Sequence, residues 1–187
     1  MSSSSAKNQM IDYGQDFYDA QSAGSRRSAE VIVPIVMDLL RPSKVVDIGC
    51  GSGAWLSVFK ERGASKVLGL DGHWVNTDCL QIARDEFVPV DLEQPLKLQD
   101  RFDLAVCMEV AEHLAPETAR PLVDSLVNLA PAVLFSAAVP FQGGTGHVNE
   151  QWPDYWVPRP LLRGRRRTDR LQRSMTCLPR RIASSTR

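Results

Sequence analysis

A chain of 187 residues suits one domain with a sizeable core, and 43% hydrophobic with 24% charged content is ordinary for a soluble globular protein. No apolar run approaches the roughly 20 residues that span a bilayer, and the serine-rich start lacks the hydrophobic stretch of a secretory signal. The net charge of zero conceals an asymmetry: residues 157–187 carry ten arginines, no lysine and one acid (net +9), against 12 basic and 21 acidic residues over 1–156 (net −9).

In chain order, residues 1–24 are expected as a flexible N-terminal segment, with Tyr13, Phe17 and Tyr18 able to form a lid. Residues 25–40 place Ala29, Ile32, Val33, Val36, Leu39 and Leu40 at helical spacing, with Pro34 inside the helix. A strand over 44–48 leads through glycines into a helix over 54–62, which Gly63 ends. A second strand, 66–70, ends at Asp71-Gly72. A helix over 75–83 leads to a third strand, 87–90, ending at Asp91-Leu92. A fourth strand covers 102–108, a helix with Pro116 in its first turn covers 116–129, and a fifth strand covers 132–139. Short apolar strands alternating with helices predict a parallel sheet covered on both faces. Ligands of such sheets bind beyond the carboxyl ends of the strands, near the switch point. Asp47, Asp71, Asp91 and Glu109 all fall at that edge. The scattered Cys50, Cys79, Cys107 and Cys177 suit reduced thiols in the cytoplasm, neither a disulfide frame nor a zinc site.

The turn after the first strand reads Gly49-Cys50-Gly51-Ser52-Gly53. Glycines without Cβ atoms let the backbone bend sharply and come close to a ligand. Dinucleotide enzymes use a similar loop, so the glycines alone do not choose the ligand. Asp47 does: its carboxylate repels a pyrophosphate and attracts a cation. The alternate glycine spacing also departs from the dinucleotide fingerprint. A nucleoside bearing positive charge, such as S-adenosylmethionine, fits.

The four blocks Val-Val-Asp-Ile-Gly-Cys-Gly-Ser-Gly, Val-Leu-Gly-Leu-Asp-Gly, Val-Pro-Val-Asp-Leu and Phe-Asp-Leu-Ala-Val-Cys-Met-Glu-Val-Ala-Glu-His-Leu occur in this order. Over residues 25–156 the chain therefore resembles the class I S-adenosylmethionine-dependent methyltransferases. The resemblance implies an α/β, Rossmann-like three-layer sandwich with a mainly parallel sheet. It also implies that the 49–53 turn, including Gly49, Cys50, Gly51 and Gly53, lies against the methionine part of the cofactor, with Asp47 supporting its charged end. Asp71, beside Gly72, would accept the ribose hydroxyls, since a carboxylate can take two hydrogen bonds. Asp91 and Leu92 would meet the adenine, and Met108 and Glu109 would line the pocket beside the sulfonium. The reaction would be methyl transfer to an oxygen or nitrogen of a small molecule; the alternatives are an RNA methyltransferase using the basic tail and an inactive cofactor-binding remnant.

Glu109, Glu112 and His113 stand at i, i+3 and i+4, one face of a helical turn, and two carboxylates with an imidazole can ligate a divalent ion. The segment looks like its counterpart in ubiquinone-pathway O-methyltransferases and small-RNA 2′-O-methyltransferases, where it can hold a metal; elsewhere such residues only order the loop. His147 offers a further ligand or a general base working near neutral pH. His113 and His147 are the candidate catalytic residues. Trp152, Tyr155 and Trp156 either line the acceptor pocket or anchor the next helix.

After Val157 the pattern of a further helix and the family's usual last two strands is missing. The arginine-rich tail 157–187 reads as disordered. It suits a basic arm for nucleic acid, a solvated end, or a reading-frame shift near residue 157; arginine as the sole basic residue, with Pro and Ser, favours the shift. Loss of those strands would leave the fifth strand as an exposed apolar edge.

Overall fold

The computed structural model describes residues 15–157, with side chains from Gly24 onward. The expectations for Tyr13, for the side chains of Phe17 and Tyr18 and for the tail beyond Val157 lie outside these residues. The chain divides after Trp156, and the sheet with its helices belongs to the first unit.

Helix α1 (Gln15–Leu40) begins earlier than its apolar spacing predicts and carries Pro34 within it. Strand β1 (Lys44–Ile48) is buried from Val45 onward, as expected of a strand covered on both faces. Helix α2 (Ala54–Glu61) ends at Gly63, whose φ of 105° is the left-handed conformation a helix terminus uses. Strand β2 (Lys66–Asp71) follows, then β3 (Phe87–Pro89), β4 (Leu104–Met108), helix α3 (Ala119–Leu129), β5 (Ala132–Ser136) and the short α4 (Pro153–Trp156). The five strands are parallel in the order β3-β2-β1-β4-β5. This is the expected Rossmann-like α/β sheet. Its order reverses between β1 and β4, so the switch point lies beyond the carboxyl ends of these two strands.

Alternate residues of the strands feed two cores, as the pleat requires. Val45, Val67, Leu104 and Val106 meet Val33, Leu56 and Phe59 on the α1–α2 side. Val46, Ile48, Leu70, Ala105 and Cys107 meet Leu122, Leu126 and Trp156 on the α3 side.

The expected helix over 75–83 does not form. Asn76 Oδ1 accepts the Asp78 N–H at 3.0 Å, and the chain makes a single 3-10 turn at Thr77–Cys79 before extending through Leu80. Asn, Thr and Asp compete with the helix by bonding their own backbone. The Gln81 N–H then donates to Ser52 O at 2.8 Å, which ties the segment to the glycine turn and seats Ile82 over Gly53. The helix over 116–129 opens with a 3-10 turn at Pro116–Thr118. β4 starts two residues later than expected, at Leu104, and β5 ends earlier, because the chain past Ser136 turns toward Glu112.

Edge strand β3 is exposed at Val88 and Pro89, and a proline suits an edge because it has no N–H to pair. β5 is half-buried along its length and pairs, among the described residues, with β4 alone. No helix of the described residues is long and apolar enough to cross a membrane.

Candidate active site

The glycine turn begins where β1 ends. Gly49, Gly51 and Gly53 have φ values of 78°, 54° and 80°, a conformation that costs any residue with a Cβ. Gly49 and Gly53 are also closed off by neighbours: a Cβ at Gly49 would overlap Val110, and one at Gly53 would stand 2.9 Å from Ile82. At Gly51 a Cβ would meet nothing within 4 Å. Gly51 is thus the glycine of the three whose Cα faces open space.

Two carboxylates lie beneath this turn. Asp71, at the end of β2, accepts the Gly51 N–H at 2.7 Å and the Gly72 N–H at 2.6 Å. Burial raises its pKa, and the two backbone donors partly restore it. Asp47, on β1, is 2% exposed, and its Oδ2 has no hydrogen-bond partner. Desolvation first, and the charge of Asp71 second, push it up to about 8. A buried, underpartnered carboxylate beside a second one suits a ligand that brings donors and positive charge. The Cys50 thiol in the turn is raised in pKa by burial and the same acids, so it is not a nucleophile at neutral pH.

The second group of titratable residues stands at the ends of β4 and β5. Glu109 adopts φ 58°, and its N–H donates to Ser136 O at 3.1 Å. The 3-10 turn Ala111–His113 follows. Glu112 is fully buried: Oε1 accepts the Ala138 N–H at 3.1 Å, and Oε2 has no partner. Its backbone carbonyl accepts the Val148 and Asn149 N–H groups at 2.9 and 3.0 Å. Those two bonds bring His147 to His113, with the rings edge to face at a centroid distance of 4.9 Å. His147 Nδ1 lies 3.0 Å from Glu150 Oε1, and the histidine holds the Glu150 carboxyl below its usual range. Burial, then the neighbouring His147, lowers the pKa of His113. Burial, with the charge of Glu109 adding to it, raises that of Glu112.

The carboxylate pair and the open glycine turn stand at the switch point of the parallel sheet, where ligands of such sheets bind. The chain matches the model of a family described as a methyltransferase domain over residues 18–166. It belongs to that family. Its fold is that of the class I enzymes, whose cofactor is S-adenosylmethionine. Over 111 residues it is 35% identical to a ubiquinone biosynthesis O-methyltransferase of Methylobacterium sp. (strain 4-46), a match covering 56% of this chain and 44% of that protein. The chain therefore spans less than half the length of this curated relative. Among solved structures it resembles S-adenosylmethionine-bound CalS10, an amino pentose methyltransferase from Micromonospora echinaspora, with a TM-score of 0.54, 21% identity and coverage of 77% of this chain and 67% of that one. It also resembles Streptomyces venezuelae DesVI, with a TM-score of 0.51, 20% identity and coverage of 72% and 62%. At these identities the two likenesses concern the fold.

Within this methyltransferase domain, Asp47, Gly49, Cys50, Gly51, Gly53, Asp71 and Gly72 gather around the ends of β1 and β2. Asp91 follows the Val90 N–H bond to Asp71 O, is exposed, and accepts the Glu93 N–H at 2.9 Å, while Leu92 is buried. Met108 is half-buried at the end of β4. The left-handed backbone at Glu109 replaces the expected helical turn, yet the Glu109 carboxylate still acts on both Glu112 and His113. Glu112, His113 and His147 present ligand atoms within 4.8 Å of one another. Trp156 is buried against Phe135 and Tyr155, an anchor for α4, whereas Trp152 is 60% exposed. Glu150 and Trp74 were not singled out by sequence reasoning. The His147-x-x-Glu150 spacing was a readable signal for the first, and a tryptophan two residues past the strand-end Asp71-Gly72 for the second.

Proposed function

We propose that the domain binds S-adenosylmethionine at the glycine turn and transfers its methyl group to an oxygen or nitrogen of a small molecule. One observation carries the reading: Asp47, with its unpartnered Oδ2, lies buried beside Asp71 under the open Gly51 turn. When bound, the cofactor supplies an electrophilic methyl group on a sulfonium. Asp47 holds the positive end of the methionine moiety, Asp71 takes the ribose hydroxyls on its remaining lone pairs, and Asp91 and Leu92 border the adenine. Met108 and Glu109 line the wall beside the reacting centre. Much of the acceleration then comes from holding the acceptor in line.

His147 removes the acceptor's proton. Its Nδ1 faces Glu150, which fixes the ring orientation and leaves Nε2 as the working nitrogen. His113, its pKa lowered by burial, stays neutral beside it. The curated relative's name, a ubiquinone biosynthesis O-methyltransferase, supports oxygen as the acceptor atom. Calorimetry with S-adenosylmethionine, S-adenosylhomocysteine and NAD tests the cofactor. NAD binding without either sulfur ligand overturns the reading. His147→Ala is expected to bind cofactor normally and to lose roughly 100-fold or more in turnover; unchanged turnover removes His147 as the base.

A second reading of the same cluster rests on Glu112 Oε2, buried without a partner beside His113 and His147. One carboxylate and two imidazoles suit a divalent ion, and Glu150 on the far nitrogen of His147 would orient that ligand. Under this reading, added Mn2+ or Zn2+ raises the melting temperature of the protein but not that of Glu112→Gln. Equal shifts in both proteins discard the metal.

A further inference from the structure

The two edges of the sheet are built differently. At one, β3 is three residues long and ends in Pro89, which has no N–H to offer a further strand. At the other, β5 carries neither a charge nor a proline along Ala132–Ser136, so it lacks the residues that protect an edge. Its residues are all half-buried, whereas Leu104 to Cys107 of the neighbouring β4 are buried. The direction of its backbone groups follows from one bond. Ser136 O accepts the Glu109 N–H, so Ser136 faces β4. Successive residues of a strand send their N–H and C=O to opposite sides. Ala132 and Leu134 therefore also face β4, and Val133 and Phe135 turn theirs outward, where no strand of the described residues meets them. The side chains alternate too: Val133 and Phe135 pack on the α3 side, Ala132 and Leu134 on the α1–α2 side.

This pattern is complementary to itself. Turned about a two-fold axis through Leu134, a second β5 lies antiparallel to the first, with Val133 opposite Phe135 of the second copy and Phe135 opposite its Val133. These are the outward-facing residues, so each such pair exchanges both of its N–H···O bonds, and every outward N–H of the edge finds an acceptor. Each pair also sets a β-branched side chain against an aromatic ring, a favourable cross-strand combination, and no charge faces a like charge. On the opposite face Leu134 meets its own counterpart, on the side of the sheet where α1 exposes Val31, Ile35 and Leu39 at i, i+4 and i+8. We propose that β5 is a homodimer interface, through which two copies of the chain join their sheets by antiparallel pairing about Leu134.

Sedimentation of the full chain over a concentration series is expected to show a monomer–dimer equilibrium. Val133→Pro removes an outward N–H and no bond to β4, so it is expected to abolish the dimer while circular dichroism stays that of the wild type. Should Val133→Pro fail to fold, cross-linking decides. In a chain carrying Cys79→Ser and Cys177→Ser, Leu134→Cys is expected to join two copies by a disulfide under mild oxidant. Residues opposed across such a pair bring their Cβ atoms to about 4.5 Å, within reach of that bond. Ala132→Cys, which faces Ser136 of the second copy, is expected to stay unlinked. A wild type that remains monomeric at every concentration overturns the interface, and protection of its Val133 and Phe135 amides from hydrogen exchange would give the edge to residues 158–187 instead. A dimer that survives Val133→Pro, or equal cross-linking at positions 132 and 134, overturns it as well.

Discussion

With Oδ2 unpartnered and 2% of its surface exposed, Asp47 ionises only near pH 8, against 3.8 for the free side chain. The folded chain therefore holds a proton that the unfolded chain has released between these two values. Stability attributable to Asp47 falls as pH rises through that window and is lowest above about 8. Asp47→Asn should flatten this slope and raise stability at pH 8 relative to the wild type, read from denaturant unfolding across pH 5–9. A wild-type stability that does not decline over that range contradicts the assignment. The same substitution should weaken S-adenosylhomocysteine about 10- to 100-fold, the worth of a charge-assisted bond to the ammonium. Because a cation favours ionised Asp47, binding should release a proton below pH 8, visible as a buffer-dependent heat.

The glycine turn is an element built from neighbours on three sides. Gly49→Ala forces a Cβ into both a left-handed φ and the space of Val110. It should cost about 3 kcal/mol, about 1–2 of them from the dihedral alone. Val110→Ala on that background should recover the steric part and not the rest. Gly51→Ala meets no atom, so its stability cost should be the dihedral term, yet it should impair cofactor affinity more than Gly49→Ala impairs it. Equal losses at the two positions would remove Gly51 as the approach point. Urea unfolding and calorimetry on the three variants separate these terms.

This turn, Asp47, Asp71 and the strands of the sheet were legible because each is local: an apolar run, an acid at its end, a residue free of Cβ. The failures lie where distant contacts decide. Residues 75–83 have helical apolar spacing, but Gln81 is bonded to Ser52 and Ile82 is seated over Gly53. Glu109 reads as helical until its left-handed backbone breaks the turn. His147 reaches His113 only because Val148 and Asn149 bond to Glu112, a pairing no spacing announces. Phe141 ends up 97% exposed with φ 72°, its N–H held by Glu150, strain of the kind that collects near functional sites.

At the scale of the whole molecule, the proposed site draws on four strand ends, so its affinity should depend on the sheet and on the packing of both faces. Phe59→Ala on the α1–α2 side and Leu126→Ala on the α3 side each remove a fully or almost fully buried side chain, with expected costs of about 3–5 and 2–5 kcal/mol. Val45 faces one core and Val46 the other from the same central strand, so the two faces should unfold together in one transition. On the proposed function, a ligand held by β1, β2, β3 and β4 binds the native state alone. S-adenosylhomocysteine at about 100 times its Kd should then add about 2.7 kcal/mol to the wild type and to either variant. Calorimetric scans check both points. A split transition in one variant would mean that the two faces are separate cooperative units. A ligand shift confined to one phase of such a split would show which face carries the cofactor edge.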